Sequence, residues 1–120
     1  MEANGYRRIS FYKGYFGEFF ARQNKKVRDK VNWTLRLIEE LPQIPESYLK
    51  HLTGTDGLYE IRVQTGNGIF RIFYFFDEDK LIILLNGFQK KTQKTPKKEI
   101  ARAIKIKKEY YEEKKQLKKP

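Results

Sequence analysis

The chain has 120 residues and a net charge of +11, with 39% hydrophobic and 15% aromatic residues and no cysteine. That length makes one domain, and the many large rings can build its core without staples. The lack of cysteine excludes a disulfide scaffold, a thiolate zinc site and a cysteine nucleophile, while the absence of any run near the roughly 20 apolar residues of a membrane span and the polar opening Met1–Ser10 lead us to expect a cytoplasmic protein without a membrane partner.

In chain order, Arg7–Lys13 reads as a short strand through Ile9 and Phe11. Tyr12, Tyr15, Phe16, Phe19 and Phe20 then recur near helical spacing, predicting a short helix to about Gln23, with Asn24 as its stop. Val27, Val31, Leu35, Ile38 and Leu41 mark the buried face of a second helix, ended by Pro42 and Pro45. The two together read as an N-terminal helical hairpin. Gln43–Gly57 is rich in turn formers and reads as a loop holding His51, the only histidine; a surface role is expected for it.

From Leu58 the period changes to two. Tyr59, Ile61 and Val63 fall on one face of a strand, and Glu60, Arg62 and Gln64 on the other. Asn67-Gly68 predicts a type I′ hairpin turn, after which Ile69–Phe76 returns, and Asp77-Glu78-Asp79 turns the chain again. Leu81–Leu85 is continuously apolar, as in a strand covered on both faces. Gln89–Thr95 is a polar basic loop, Thr95 is placed to cap a helix and Pro96 to open it, and Ile100, Ala103 and Ile104 give that helix a narrow apolar stripe. Beyond about Tyr111 the chain is nearly all Lys and Glu, so residues 112–120 are expected to fray as a basic tail. The order predicts a single α+β domain over residues 1–120, with an antiparallel meander and a basic C-terminal helix.

The charge is unevenly placed. Residues 1–88 carry 13 Lys+Arg against 11 Asp+Glu, whereas residues 89–120 carry 13 against 4. Such a block attracts polyanions, nucleic acid above all; the alternative is a solvated lysine-rich helix. On the sheet, a turn at Asn67-Gly68 would pair Gln64 with Arg71 and put Arg62 diagonally across the same face. Two guanidiniums there suit a phosphate. Glu60 shares that face, and a Glu60–arginine salt-bridge patch is the alternative reading. Metal-ligand spacing, Gly-rich phosphate loops and nucleophile elbows are absent, so no metal or other cofactor is expected.

The segments Gly57-Leu58-Tyr59-Glu60-Ile61-Arg62-Val63 and Phe70-Arg71-Ile72-Phe73-Tyr74 resemble the middle strands of the RelE/ParE toxin superfamily. Leu84-Leu85-Asn86-Gly87-Phe88-Gln89-Lys90-Lys91-Thr92-Gln93-Lys94-Thr95-Pro96, followed by Glu99-Ile100, is similar to the HigB-like, phage-derived branch, and the likeness runs from about Ser10 to about Tyr111. The resemblance implies a small α+β domain with a twisted antiparallel sheet. It also implies a type II toxin that enters the ribosome and cuts mRNA without a metal, and a cognate antitoxin partner of helix-turn-helix type.

Carried over residue by residue, Arg62 and Arg71 sit where RelE-type enzymes place basic catalytic groups, and Lys90 and Lys91 near the basic residue after the last strand. Glu60 enters as a possible base. Lys94, Lys97, Lys98 and Arg102 are assigned to RNA phosphates. Glu60 stands where RelE-like toxins tend to be basic, and their tyrosine after the last strand has no match here. Two alternatives share the scaffold: a ParE-like gyrase inhibitor without nuclease activity, and a non-catalytic nucleic-acid-binding protein.

Overall fold

The computed structural model describes residues 5–91 and 94–118. Its elements are β1 (Arg8–Phe11), α1 (Tyr15–Ala21), α2 (Lys25–Glu40), a 3-10 turn (Glu46–Tyr48), β2 (Lys50–His51), β3 (Tyr59–Thr65), β4 (Gly68–Phe76), β5 (Leu81–Lys90) and α3 (Lys97–Leu117). The five strands form one sheet in the order β1-β5-β4-β3-β2. The meander β3-β4-β5 is antiparallel, as its turns require, and β2 joins β3 antiparallel. β1, however, runs parallel to β5, so the sheet is mixed rather than antiparallel throughout. The crossover through α1 and α2 carries the chain from one sheet edge toward the other, which lets β1 lie alongside β5 in the same direction.

Strand alternation sorts the core into two layers. Phe16 and Phe19 of α1 and Val27, Val31, Leu35 and Ile38 of α2 cover one face, over Ile61, Val63, Phe70, Ile72, Tyr74, Ile82 and Leu84. On the other face, Ala103 and Ile106 of α3 cover Phe73, Phe75, Ile83 and Leu85. β5 is therefore covered on both sides, as its apolar run predicts. Each helix docks mainly on the sheet, α1 on β5 and α2 on β3 and β1, rather than on its neighbour as a hairpin would.

The two layers are held differently. α2 buries five side chains, including Thr34, and full burial of each large apolar one contributes roughly 1.5–3 kcal/mol as an upper bound. Its start is capped by Asn24, whose Oδ1 accepts from Val27 N at 3.0 Å; Asn24 thus begins the second helix instead of merely ending the first. Its end is closed by Arg7, which donates to the carbonyls of Ile38, Leu41 and Pro42 at 2.6–2.7 Å.

α3 buries only Ala103 and Ile106, so polar clasps do more of the holding. Asn86 Nδ2 donates to the carbonyl and carboxylate of Glu99 at 3.2 and 3.0 Å. Asp77 accepts from Tyr110 at 2.5 Å and from Lys114 at 2.7 Å. Lys13 pairs with Glu109 and Glu113, both at 3.0 Å. These contacts carry the helix past Tyr111 to Leu117, where fraying was expected.

Two local departures bear on the site. The hairpin turn is Gly66-Asn67, with Thr65 opposite Gly68, and Gly68 itself takes the positive φ (130°). Asn67 stays out of the left-handed region, so the expected type I′ turn at Asn67-Gly68 is not formed; Thr65 Oγ1 instead accepts from Asn67 N at 3.0 Å. β5 continues to Lys90, well past Leu85, by way of an irregularity in its pairing with β4 between Ile72 and Tyr74. Beyond it lies Gly87, where any Cβ would sit 2.6 Å from the Phe19 ring. α1 can approach the sheet only because that side chain is missing.

Candidate active site

α3 covers β5 and part of β4, and leaves β3 and β2 open on the same face. The register decides what lies there. Arg62 is directly opposite Arg71, a two-residue shift from the expected diagonal that keeps both on one face. Directly opposed residues hold their Cβ atoms about 5 Å apart, so the guanidiniums start as neighbours. Glu60 precedes Arg62 on that face by one alternation, and Lys50 of β2 lies opposite Glu60. Lys90 is paired with Ile69, two residues along from Arg71. The face therefore gathers Lys50, Arg62, Arg71 and Lys90 around one carboxylate.

That carboxylate is buried. Glu60 has no exposed surface and Arg71 only 7%, and Arg71 Nη1 donates to Glu60 Oε2 in a close ion pair. The remaining Glu60 oxygen accepts from the Thr95 hydroxyl at 3.3 Å. Thr95 is thus tied to the sheet and does not cap α3; Pro96 occupies the cap position without a side-chain bond. Arg71 Nε is buried without a partner among the described residues, so the guanidinium keeps donor capacity beyond its pair.

Arg62 is exposed and donates to Gln64 Oε1 at a long 3.5 Å. Burial and the Arg71 charge push the Lys90 ammonium below the usual lysine range; Glu60 opposes this, and Lys50 and Arg62 reinforce it. A groove of about 620 Å³ runs over this face, lined by Glu46, Ser47, Leu49, Lys50, Arg62 and Arg71.

The residues singled out from sequence divide accordingly. Glu60, Arg62, Arg71 and Lys90 come together. Lys91 is exposed just past the end of β5, and Lys94, Lys97 and Lys98 are exposed around the start of α3. Thr92 and Gln93 of the basic run lie outside the described residues. Arg102 lies elsewhere: its guanidinium is 3.9 Å from Glu18 and over the Tyr15 ring, toward α1. His51 is paired with Tyr59, so it falls on the opposite face, edge-on to the Tyr59 ring at 5.3 Å. Lys50 and the Glu46–Leu49 wall were not foreseen; a two-residue strand has no periodicity to read. Among the described residues no cluster of His, Cys, Asp and Glu could hold a metal, and no helix is long and apolar enough to cross a membrane.

An open sheet face with an excess of fixed cations over a buried carboxylate suits a phosphodiester. Residues 18–108 match the profile of the family described as phage derived protein Gp49-like. The chain belongs to this family. The Gp49-like match runs from within α1 to about the middle of α3 and includes every residue of the cationic face. The fold is similar to that in the crystal structure of an archaeal RelE–RelB complex from Pyrococcus horikoshii OT3, with a TM-score of 0.52, 21% identity, and coverage of 70% of this chain and 94% of that one. At that identity the likeness shows the fold, a RelE-type α+β domain. Curated proteins give no match.

Proposed function

We propose that this Gp49-like chain is the toxin of a type II toxin–antitoxin pair, an endoribonuclease that cuts mRNA on the ribosome and so blocks translation in the cytoplasm. The observation that carries the reading is the cationic sheet face, with Lys50, Arg62, Arg71 and Lys90 around buried Glu60. A RelE-type fold and the HigB-like Lys90–Pro96 run support it.

In this reading the 2′-OH attacks the adjacent phosphate as the P–O5′ bond breaks, which leaves a 2′,3′-cyclic phosphate and a 5′-hydroxyl; the 2′-oxygen gives up a proton and the departing 5′-oxygen takes one. Arg62 and Arg71 hold that phosphate and offset the charge that develops on it. Arginine stays protonated, so proton transfer falls to Lys90, whose pKa is lowered toward the working range. Glu60 is a poor candidate for the base, because Arg71 holds it in an ion pair; it fixes the arginine and lessens the repulsion with Arg62. Lys91, Lys94, Lys97 and Lys98 contact RNA phosphates around the cut, which predicts steep salt dependence. Arg102, on the other side of α3, contacts RNA outside the groove. The partner that silences the toxin is a cognate antitoxin of helix-turn-helix type, as the HigB-like resemblance implies.

The test is induction of the chain alone in bacteria, with mRNA 5′ ends mapped with and without an inhibitor that empties ribosomes of mRNA. New ends inside translated codons, lost when ribosomes are emptied, are expected. Growth arrest with unchanged ends would overturn the nuclease reading and favour a toxin that binds its target, such as a ParE-like gyrase inhibitor. No arrest at all would favour a non-catalytic nucleic-acid-binding protein.

A further inference from the structure

The groove over the cationic face has two unlike walls. Lys50, Arg62 and Arg71 form one, and Glu46 and Ser47 of the 3-10 turn, with Leu49 just after it, form the other. Cations alone would make a backbone track. An acidic side chain at its rim repels phosphate and weakens such a track, yet exposed Glu46 lines the groove, and its carboxylate has no hydrogen-bond or ion-pair partner among the described residues. Leu49 beside it leaves 38% of its surface exposed. An apolar surface next to a carboxylate and a hydroxyl has the makings of a seat for a base: the face rests on Leu49 and the edge meets polar groups.

The wall is firmly placed. The buried Tyr74 hydroxyl donates to the Tyr48 carbonyl at 2.6 Å. Pro45 precedes the turn, and after Leu49 the chain enters β2, where Lys50 pairs with Glu60. A recognition group carried on such a wall reaches its partner without first being ordered.

We propose that Glu46, with Ser47 and Leu49, forms a base-reading subsite for the nucleotide next to the scissile phosphate, and that it selects guanine. This rests on the ribonuclease reading of the site. A carboxylate only accepts hydrogen bonds. Guanine presents N1–H and N2–H side by side on its Watson–Crick edge, a pair of donors that matches the two carboxylate oxygens. Adenine and cytosine offer one amino donor beside an acceptor that a carboxylate repels, and uracil a single N–H between two carbonyls.

The test is sequencing of mRNA 5′ ends after induction of the wild type, Glu46→Gln and Tyr74→Phe at equal expression. In the wild type, guanine is expected at one fixed position beside the cut with about tenfold enrichment, the scale of a bidentate base contact. Glu46→Gln replaces one acceptor by a donor and should bring guanine to within about twofold of the other bases at that position. Tyr74→Phe loosens the wall, and should lower the guanine enrichment while leaving the same base preferred.

An equal guanine enrichment in the wild type and Glu46→Gln would overturn the assignment, as would wild-type cuts with no base preference at any adjacent position. A wild type that makes no cuts at all would overturn the ribonuclease reading itself, and is told apart from those outcomes by the missing ends.

Discussion

Replacing Glu60 by Gln removes the carboxylate beneath Arg71 and leaves a guanidinium with 7% exposure and no counter-charge. Removing one partner of a buried pair costs about 3–5 kcal/mol, a large share of the roughly 5–15 kcal/mol of a small domain. Thermal unfolding should fall by on the order of 10–20 °C. Arg71→Met leaves Glu60 buried instead. With its cation gone, this variant too should lose stability at neutral pH. The double variant Glu60→Leu with Arg71→Met removes both charges, and should return to within about 1 kcal/mol of the wild type.

Urea unfolding followed by circular dichroism reads these values, and induction in bacteria reads toxicity. The double variant should fold and fail to arrest growth, because the guanidinium that holds the phosphate is gone. A change below about 0.5 kcal/mol for Glu60→Gln would refute the buried-pair reasoning. Growth arrest by the folded double variant would refute the role of Arg71.

Lys90→Arg keeps the charge but lifts its deprotonation out of reach, so mRNA cleavage should fall by about 100-fold. In the wild type the rate should climb with pH through the lowered lysine pKa and then level; an arginine variant with the same profile would remove Lys90 from proton transfer. At the far end of the same face, burial pushes the Asp77 carboxyl up, but hydrogen bonds from Lys114 and Tyr110 outweigh it and hold the group below its usual value. Its contribution is therefore present above about pH 4 and lost as pH falls through the folded pKa. Asp77→Asn should cost about 1–3 kcal/mol at neutral pH and speed amide exchange in the last turns of α3, with less of the acid dependence remaining. Gly87→Ala should cost about 1–3 kcal/mol by driving Phe19 from the sheet, and adding Phe19→Leu should recover part of it; a neutral Gly87→Ala would show that α1 gives way freely.

Much of this molecule answers to local rules. The spacing of Val27, Val31, Leu35 and Ile38 sets the buried face of α2, and the alternation from Tyr59 to Gln64 puts Glu60 and Arg62 together whatever the hairpin register, because a two-residue shift preserves the face. The apolar run of β5 likewise announced burial on both sides. Those signals needed only the period of the backbone. What they could not carry was adjacency. The parallel seat of β1 beside β5, the pairing of Lys50 with Glu60, and the diversion of Thr95 from helix cap to Glu60 all join residues far apart in the chain. Their energies come from contacts that exist only once the sheet is assembled. Strand alternation is enough to say which residues face the groove from β3 and β4; that Arg71 pairs with a buried Glu60 while Arg62 stays exposed follows only once the sheet is packed, since burial and counter-charge belong to the packed molecule and not to any stretch of chain.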